Sequence, residues 1–351
     1  METKEFYASY DDMKIMGRNF IDENNALCMV HSGAYVEFNY VCNKLYIDVS
    51  AYLDKKSRVA VFVNENLVYD LMIKVSEGNR IIEIVDSEKL HYGTVKIVKL
   101  NEPLSSSVVK INKVIIDENA KIYPTAKGNV NIEFIGDSIA CGYGVEAVLP
   151  TETFENETEN VLKAYPYMAS QEVKADFQIL AYSGFGVISG YGAEGEKMES
   201  EALPQYYEET ALLPDGKSAG KWDFKKFVPD IIVINLGTND FNYCNDDDKI
   251  HEFYLAYTEF LKKLRKLNPD AEFLCTIGIM GDKLNDIIQE AVWNYSYDCN
   301  DSKVHFANFP VMKKEDGYGA NYHPSEVSQK KAAREMVRVL RKYYDEMYKL
   351  S

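Results

Sequence analysis

The segment Phe134-Ile-Gly-Asp-Ser-Ile-Ala-Cys-Gly-Tyr-Gly144 joins an apolar run to a glycine-rich turn with Ser138 near its centre. The run predicts a buried strand, and further apolar runs follow it, alternating with helical periods. This alternation is typical of an α/β domain with a mainly parallel sheet. Ligands of such sheets bind beyond the carboxyl ends of the strands, so Ser138 is expected at the ligand-binding edge. Taken alone, Gly-Asp-Ser also fits a simple turn in which Ser138 only caps a helix.

Around this segment, five strands and four helices are predicted. Their bounds are 130–135, 177–181, 231–236, 272–277 and 304–306 for the strands, and 161–174, 248–267, 282–295 and 324–348 for the helices. The strands are nearly continuous apolar runs, as expected where helices cover both faces of a parallel sheet.

The first 120 or so residues have a different pattern, at the size of a separate domain. Short alternating or β-branched runs such as 34–40, 45–49, 58–63, 80–85, 94–98 and 108–116 are separated by turn signals. Many short strands without a helical period predict an antiparallel β-sandwich. A polar join, Tyr123-Pro-Thr-Ala-Lys-Gly-Asn129, follows. We therefore predict two domains, 1–122 and 128–351.

Composition and charge narrow the range of possible partners and settings. The 351 residues contain 39 Lys and Arg against 55 Asp and Glu, a net charge of −16. Such acidity disfavours nucleic acid and anionic membranes as partners and suits a neutral ligand such as a sugar. The six cysteines are scattered, and the chain opens without a basic and apolar leader. These features predict a reducing, cytoplasmic setting. A long acidic segment, 190–229, is expected to lie near the site.

Two further strand ends carry polar residues. Val233-Ile-Asn-Leu-Gly-Thr-Asn-Asp240 brings Asn239 to the predicted edge, where its side-chain amide would suit a developing oxyanion. Ala181-Tyr-Ser-Gly184 brings Gly184, whose missing side chain would let a backbone N–H approach the reacting centre. Each block by itself also fits an ordinary turn.

The best candidate base is a histidine near the end of the chain. His323 opens His323-Pro-Ser-Glu326 before the predicted last helix, and a proline in the first helical turn would make that corner stiff. His323 is therefore expected to take the proton of Ser138. The alternative is a capping residue that moves no proton.

These blocks, in this order, resemble the SGNH (GDSL-type) hydrolase superfamily. Ser138, Gly184, Asn239 and His323 match its four characteristic residues. Similarity to carbohydrate esterase family 2 extends from Gly136–Gly144 to Tyr322-His-Pro-Ser325 and covers the β-rich region. The resemblance implies an N-terminal jelly-roll sandwich before a three-layer α/β/α SGNH domain.

The same resemblance implies removal of acetyl groups from plant polysaccharides by a Ser-His dyad, without metal or cofactor. The predicted oxyanion hole comprises the backbone N–H groups of Ser138 and Gly184 and the amide of Asn239. One position departs from the superfamily, because Ala320 stands where most members have an Asp that orients the histidine. We expect the carbonyl or side-chain oxygen of Asn321 to hold His323 instead, with Asp316 as a fallback.

The expected partner is an acetylated oligosaccharide, and the oligomeric state stays open. Candidate sugar-stacking residues are Tyr143, Tyr322 and Trp293, although the helical period around Trp293 favours core packing. The sequence also fits two different functions. One is that of another SGNH esterase, such as a peptidoglycan O-acetylesterase, lipase or thioesterase. The second is that of a catalytically dead carbohydrate-binding protein.

Overall fold

The structure is a computed structural model and describes residues 2–53 and 55–349. The chain forms two compact units. The first comprises the chain up to Lys127 together with Glu209–Lys221, and the second comprises Gly128–Glu208 and the chain from Trp222 onward. In the described part of the chain, none of the helices combines the length and apolar character needed to span a bilayer.

The described residues of the first unit form ten antiparallel strands with a sandwich-like arrangement, as predicted. The strands are β1 (Thr3–Phe6), β2 (Lys14–Met16), β3 (Phe20–Ile21), β4 (Leu27–Met29), β5 (Tyr35–Tyr52), β6 (Lys56–Val63), β7 (Asn66–Lys74), β8 (Arg80–Lys99), β9 (Val108–Asp117) and β10 (Lys121–Pro124). The main order is β3-β4-β9-β5-β8-β6-β7, while β1 pairs with β9 and both β2 and β10 pair with β5. The jelly-roll description stays a prediction.

Two pairs of predicted strands are in fact single long strands. Runs 34–40 and 45–49 join into β5, and runs 80–85 and 94–98 join into β8. Register shifts between Cys42 and Lys44 and between Leu45 and Tyr46 let the two strands stay paired through polar residues. A bulge of this kind interrupts the sequence alternation without ending a strand, so the prediction divided each strand in two.

Part of the acidic segment belongs to the first unit. Residues 209–221 form an irregular hairpin whose Ala211 and Leu213 pack on Cys28, Val30 and Val108. Residues 209–221 therefore belong to the first unit, and for them the expectation of a position near the site stays a prediction.

The second unit contains a parallel sheet and, over its described residues up to 349, five α-helices. The strands are β11 (Asn131–Gly136), β12 (Asp176–Ala181), β13 (Ile231–Asn235), β14 (Glu272–Thr276) and β15 (Val304–Phe306). The helices are α1 (Ser138–Cys141), α2 (Tyr165–Glu172), α3 (Asp247–Leu267), α4 (Asn285–Asp298) and α5 (Glu326–Lys349). The predicted helix 161–174 is a short 3₁₀ turn, Val161–Lys163, followed by α2 with a proline in its first turn.

Strand order fixes where the ligand edge lies. The order is β12-β11-β13-β14-β15, so the chain moves one way from β11 and then crosses to the other side. Right-handed crossovers then place α2 on one face of the sheet and α3 and α4 on the other. The crevice opens between β11 and β13, where the strand order reverses. This is the edge to which β11 and β13 deliver Ser138 and Asn239.

Candidate active site

Ser138 stands on the tight turn that follows β11. Asp137 caps α1, its carboxylate accepting the backbone N–H of Ile139 at 2.9 Å. The helix ends at Gly142 in a left-handed conformation. Ser138 is buried, with 6% of the residue exposed.

His323 lies within hydrogen-bonding distance of this serine. Its Nε2 is 3.0 Å from Ser138 Oγ, although the two residues are 185 positions apart in the chain. Its Nδ1 is 3.2 Å from the carbonyl oxygen of Ala320. A carbonyl only accepts, so Nδ1 carries the proton and Nε2 is left free to accept from the serine hydroxyl. That is the tautomer a general base requires.

The orienting group is mainly the carbonyl of Ala320. The prediction named Asn321, whose backbone makes a second favourable contact with the imidazole. Asn321 itself is exposed and left-handed, with φ of 51°, and its N–H donates to the Glu152 carbonyl at 3.0 Å. The fallback residue Asp316 pairs with Lys331 instead of His323.

Burial keeps the imidazole neutral. It lowers the pKa of His323 from an ordinary value of 6.5 to about 4, against the raising effect of the carbonyls of Ala320 and Asn321. His323 is therefore unprotonated at neutral pH and ready to accept a proton.

The two backbone N–H groups of the predicted oxyanion hole have no acceptor in the part of the chain that the structure describes. Within residues 2–53 and 55–349, neither Ser138 nor Gly184 donates its N–H to another group. Gly184 has φ of 82°, a conformation that suits glycine. Such free donors at a strand edge are what an oxyanion hole needs.

Asn239, the third predicted donor, is 8% exposed and already occupied. Its Nδ2 donates to the Phe185 carbonyl at 2.8 Å and to Asp137 Oδ2 at 3.2 Å. To bind an oxyanion, the amide would share or release the longer of these two bonds. The contact to Phe185 keeps the amide beside Gly184 in either state.

Asp240 is a structural residue that the prediction left without a role. Its fully buried carboxylate accepts the N–H groups of Val187, Ile188 and Ser189 at 2.8–3.0 Å. Burial raises the pKa of Asp240 to about 6, against the lowering effect of these donors. The residue after Asn239 thus ties its loop to the loop that follows Gly184. Its position next to Asn239 was the only sequence signal.

The three candidate sugar-stacking residues have different outcomes. Tyr322, beside His323, is 53% exposed and open to a ligand. Tyr143 instead stacks on the His323 ring, with centroids 4.0 Å apart. Trp293 is 62% exposed, so the core packing favoured for it is wrong. It lies eight residues after the start of α4, outside the buried face formed by Ile288, Ala291, Val292 and Tyr295, and its role in sugar stacking stays a prediction.

Comparisons with known proteins identify the family of the chain. The sequence profile of the GDSL-like lipase/acylhydrolase family matches residues 132–336. The chain is 36% identical over 55% of its length to cellulase/esterase CelE of Acetivibrio thermocellus, and 32% identical over 66% to an acetylxylan esterase/glucomannan deacetylase of Cellvibrio japonicus. These matches cover 23% and 64% of the relatives' own lengths.

A solved structure shares the fold. The family two carbohydrate esterase of Clostridium thermocellum, determined in complex with cellohexaose, superposes with a TM-score of 0.82 at 26% identity. The match covers 94% of this chain and 98% of that one. The resemblance inferred from the four sequence blocks is thus confirmed, and the chain belongs to the GDSL-like lipase/acylhydrolase family.

Proposed function

We propose that the protein is a carbohydrate O-acetyl esterase that acts on acetylated plant-derived oligosaccharides and polysaccharides of the mannan, glucomannan or xylan type. One observation carries the proposal. A buried serine hydroxyl lies 3.0 Å from the Nε2 of a neutral histidine, beside two backbone N–H groups that, over residues 2–53 and 55–349, have no acceptor. This arrangement is suited to acyl transfer.

The reaction follows from these contacts. Ser138 attacks the acetyl carbonyl while His323 accepts its proton, and the N–H groups of Ser138 and Gly184 stabilise the oxyanion. Collapse of the intermediate breaks the ester bond, and His323 returns the proton to the departing sugar oxygen. Water then repeats the sequence, releasing acetate and free Ser138. The Ala320 carbonyl orients the imidazolium but contributes no full negative charge.

Exposed side chains around the dyad support a sugar substrate. Tyr322 is joined by Val148, Leu149 and Tyr191, which are 86%, 56% and 67% exposed. The Tyr322 N–H donates to the Pro150 carbonyl at 3.1 Å, and the Tyr191 N–H donates to the Gly184 carbonyl at 2.7 Å. Aromatic rings with solvent-facing surfaces suit stacking on a sugar ring. The names of the relatives, which include acetylxylan esterases and a glucomannan deacetylase, support the same substrate class.

The test is acetate release from acetylated manno-, gluco- and xylo-oligosaccharides, with the position of loss read by NMR. We expect release by the native protein and none by Ser138→Ala, which should still bind the oligosaccharide. Ser170→Ala is the matched control, because it removes another buried hydroxyl of the same unit, one that bonds to the Pro166 carbonyl. No release by the native protein, with binding retained, would favour a carbohydrate-binding protein.

Aryl esters of increasing chain length distinguish a deacetylase from a lipase or thioesterase. We expect acetyl esters to be cleaved and decanoyl esters to be cleaved far more slowly. Comparable rates on both would point to a lipase or thioesterase and would contradict the deacetylase assignment.

A further inference from the structure

Three aromatic rings form a stack that ends on the catalytic imidazole. The Tyr143 and His323 centroids are 4.0 Å apart with 27° between the ring planes, and the Tyr143 and Phe154 centroids are 4.4 Å apart with 33° between the planes. Two rings cannot both lie this close to one face of a third, so Phe154 and His323 cover opposite faces of Tyr143. We call these three residues the ring stack.

Backbone contacts join the segments that carry two of these rings. The Ala320 N–H donates to the Gly144 carbonyl at 3.0 Å, and the Ala320 carbonyl accepts from the His323 N–H at 3.0 Å and from its Nδ1 at 3.2 Å. A Cβ added to Gly144 would lie 2.4 Å from the Ala320 Cβ. The chain beside Tyr143 and the chain before His323 are therefore in close contact.

The segment leading to Phe154 holds the other side of the histidine turn. Asn321 and Tyr322 have φ of 51° and 59°, a left-handed conformation that Asn adopts more readily than most residues but that is costly for Tyr. Their N–H groups donate to the carbonyls of Glu152 and Pro150 at 3.0 and 3.1 Å. The turn persists because the chain before Phe154 satisfies these two donors.

This arrangement meets a need created by Ala320. Hydrogen bonds at the ring nitrogens act at the edge of the imidazole, so they resist a tilt of its plane less than a contact with its face does. A flat ring packed 4.0 Å from its face removes this tilt. The third member, Phe154, keeps Tyr143 from moving away.

We propose that Tyr143 and Phe154 are positioning residues that hold the plane of the His323 imidazole in line with Ser138, in the absence of an orienting carboxylate at position 320. The inference rests on the proposed function, in which His323 is the base. Phe154 packs on Tyr143 and Tyr143 packs on the imidazole, so both residues act through His323.

A second effect of the stack is to shield the imidazole from water. Burial is the main cause of the lowered pKa of His323, so removing a ring should let that pKa return towards 6.5. The groups that face the imidazole are the Ser138 hydroxyl, the Tyr143 ring and the backbone carbonyls of Ala320 and Asn321. The carboxylate of Asp137, next to Ser138, is engaged by Ile139 and Asn239.

The kinetic test compares Tyr143→Leu with Tyr143→Phe. The leucine removes the flat ring, and we expect kcat on an acetyl ester to fall about 10- to 100-fold with KM within about threefold, as for a misaligned catalytic group. The phenylalanine keeps the ring, and we expect kcat within about threefold of the native value. Tyr167→Leu removes a ring packed 5.6 Å from Phe177 in the same unit and should leave kcat unchanged.

An NMR titration of the histidines tests the stack without any catalysis. In Tyr143→Leu the His323 signal should titrate well above pH 4. The His31 signal is the internal reference, because burial lowers the pKa of His31 to about 3 and its Nε2 bonds to the Thr210 carbonyl. The His31 titration should not move.

Unchanged kcat and unchanged His323 titration in folded Tyr143→Leu would overturn the positioning role. If that variant does not fold, Phe154→Leu answers the same question with a smaller expected loss, about 3- to 10-fold in kcat. An inactive native protein would refute the proposed function, whereas the titration would still decide whether the stack controls His323.

Discussion

The nucleophile and its base are held in place in different ways. Ser138 sits at the end of a buried parallel strand and opens a helix capped by Asp137, so strand, turn and cap are all local. His323 sits after a turn with two left-handed residues and depends on backbone and ring contacts from residues 143–154. The first side is fixed by regular secondary structure and the second by tertiary packing. Catalysis needs Ser138 and His323 in hydrogen-bonding contact. The position of His323 is the one most easily disturbed, because it depends on tertiary packing.

The largest effect should come from removing either member of the dyad. We expect Ser138→Ala and His323→Ala each to lower kcat by about 10⁴- to 10⁶-fold, because each leaves only the oxyanion hole and binding contacts. The double variant should be no slower than the single variants, since the two groups act as one unit. Steady-state kinetics on an aryl acetate measures this, and additive losses would show that the two sides act independently.

A smaller loss is expected at the oxyanion site. Asn239→Ala should lower kcat about 10²- to 10³-fold if the amide shifts from Asp137 to the oxyanion. The matched control is Asn235→Ala, which removes a buried amide at the end of β13 that bonds to the Tyr165 hydroxyl. Equal kcat for Asn239→Ala and the native protein would mean that the backbone donors suffice.

Placing a carboxylate at position 320 should not create a Ser-His-Asp triad. Ala320 is fully buried, and its Cβ lies against the backbone of Gly144. We expect Ala320→Asp to lower the free energy of unfolding by about 1–3 kcal/mol through overpacking, without raising kcat. Denaturant unfolding and kinetics check this together. A stable variant with higher kcat would indicate room for a conventional triad.

The smallest effect is a shift in the acid limb of the pH profile. With a His323 pKa of about 4, kcat/KM should fall only as the pH drops through about 4, and about nine tenths of the activity should remain at pH 5. Between about pH 4 and 6.5 the unfolded chain binds more protons than the folded one at this residue. His323 therefore makes the protein less stable as the pH falls through that window. Loss of kcat/KM centred near pH 6.5 would contradict the shielding of the imidazole.

The sequence predicts the elements of regular secondary structure and the site residues that directly follow them. All five strands of the second unit were predicted within about two residues, because buried parallel strands read as apolar runs. The positions of Ser138 and Asn239 then follow from the predicted ends of β11 and β13. Ser138 and His323 were paired from motif order, and the structure brings them to 3.0 Å.

The features that the sequence does not predict depend on tertiary packing rather than on local sequence. The carbonyl of Ala320, rather than a side chain, holds Nδ1 next to a turn with two left-handed residues, and residue propensity does not predict that conformation at Tyr322. Phe154 and Tyr143 meet through loop geometry alone. The exposed Trp293 fits a helical apolar period but lies outside its buried face.

The most direct test of the dyad is covalent labelling by a fluorophosphonate, which forms a stable adduct only with an activated serine. Peptide mass spectrometry should find the adduct on Ser138, with labelling much slower in His323→Ala and abolished in Ser138→Ala. Labelling of Ser138 at the same rate without the imidazole, or an adduct on another residue while Ser138 stays unmodified, would contradict the account.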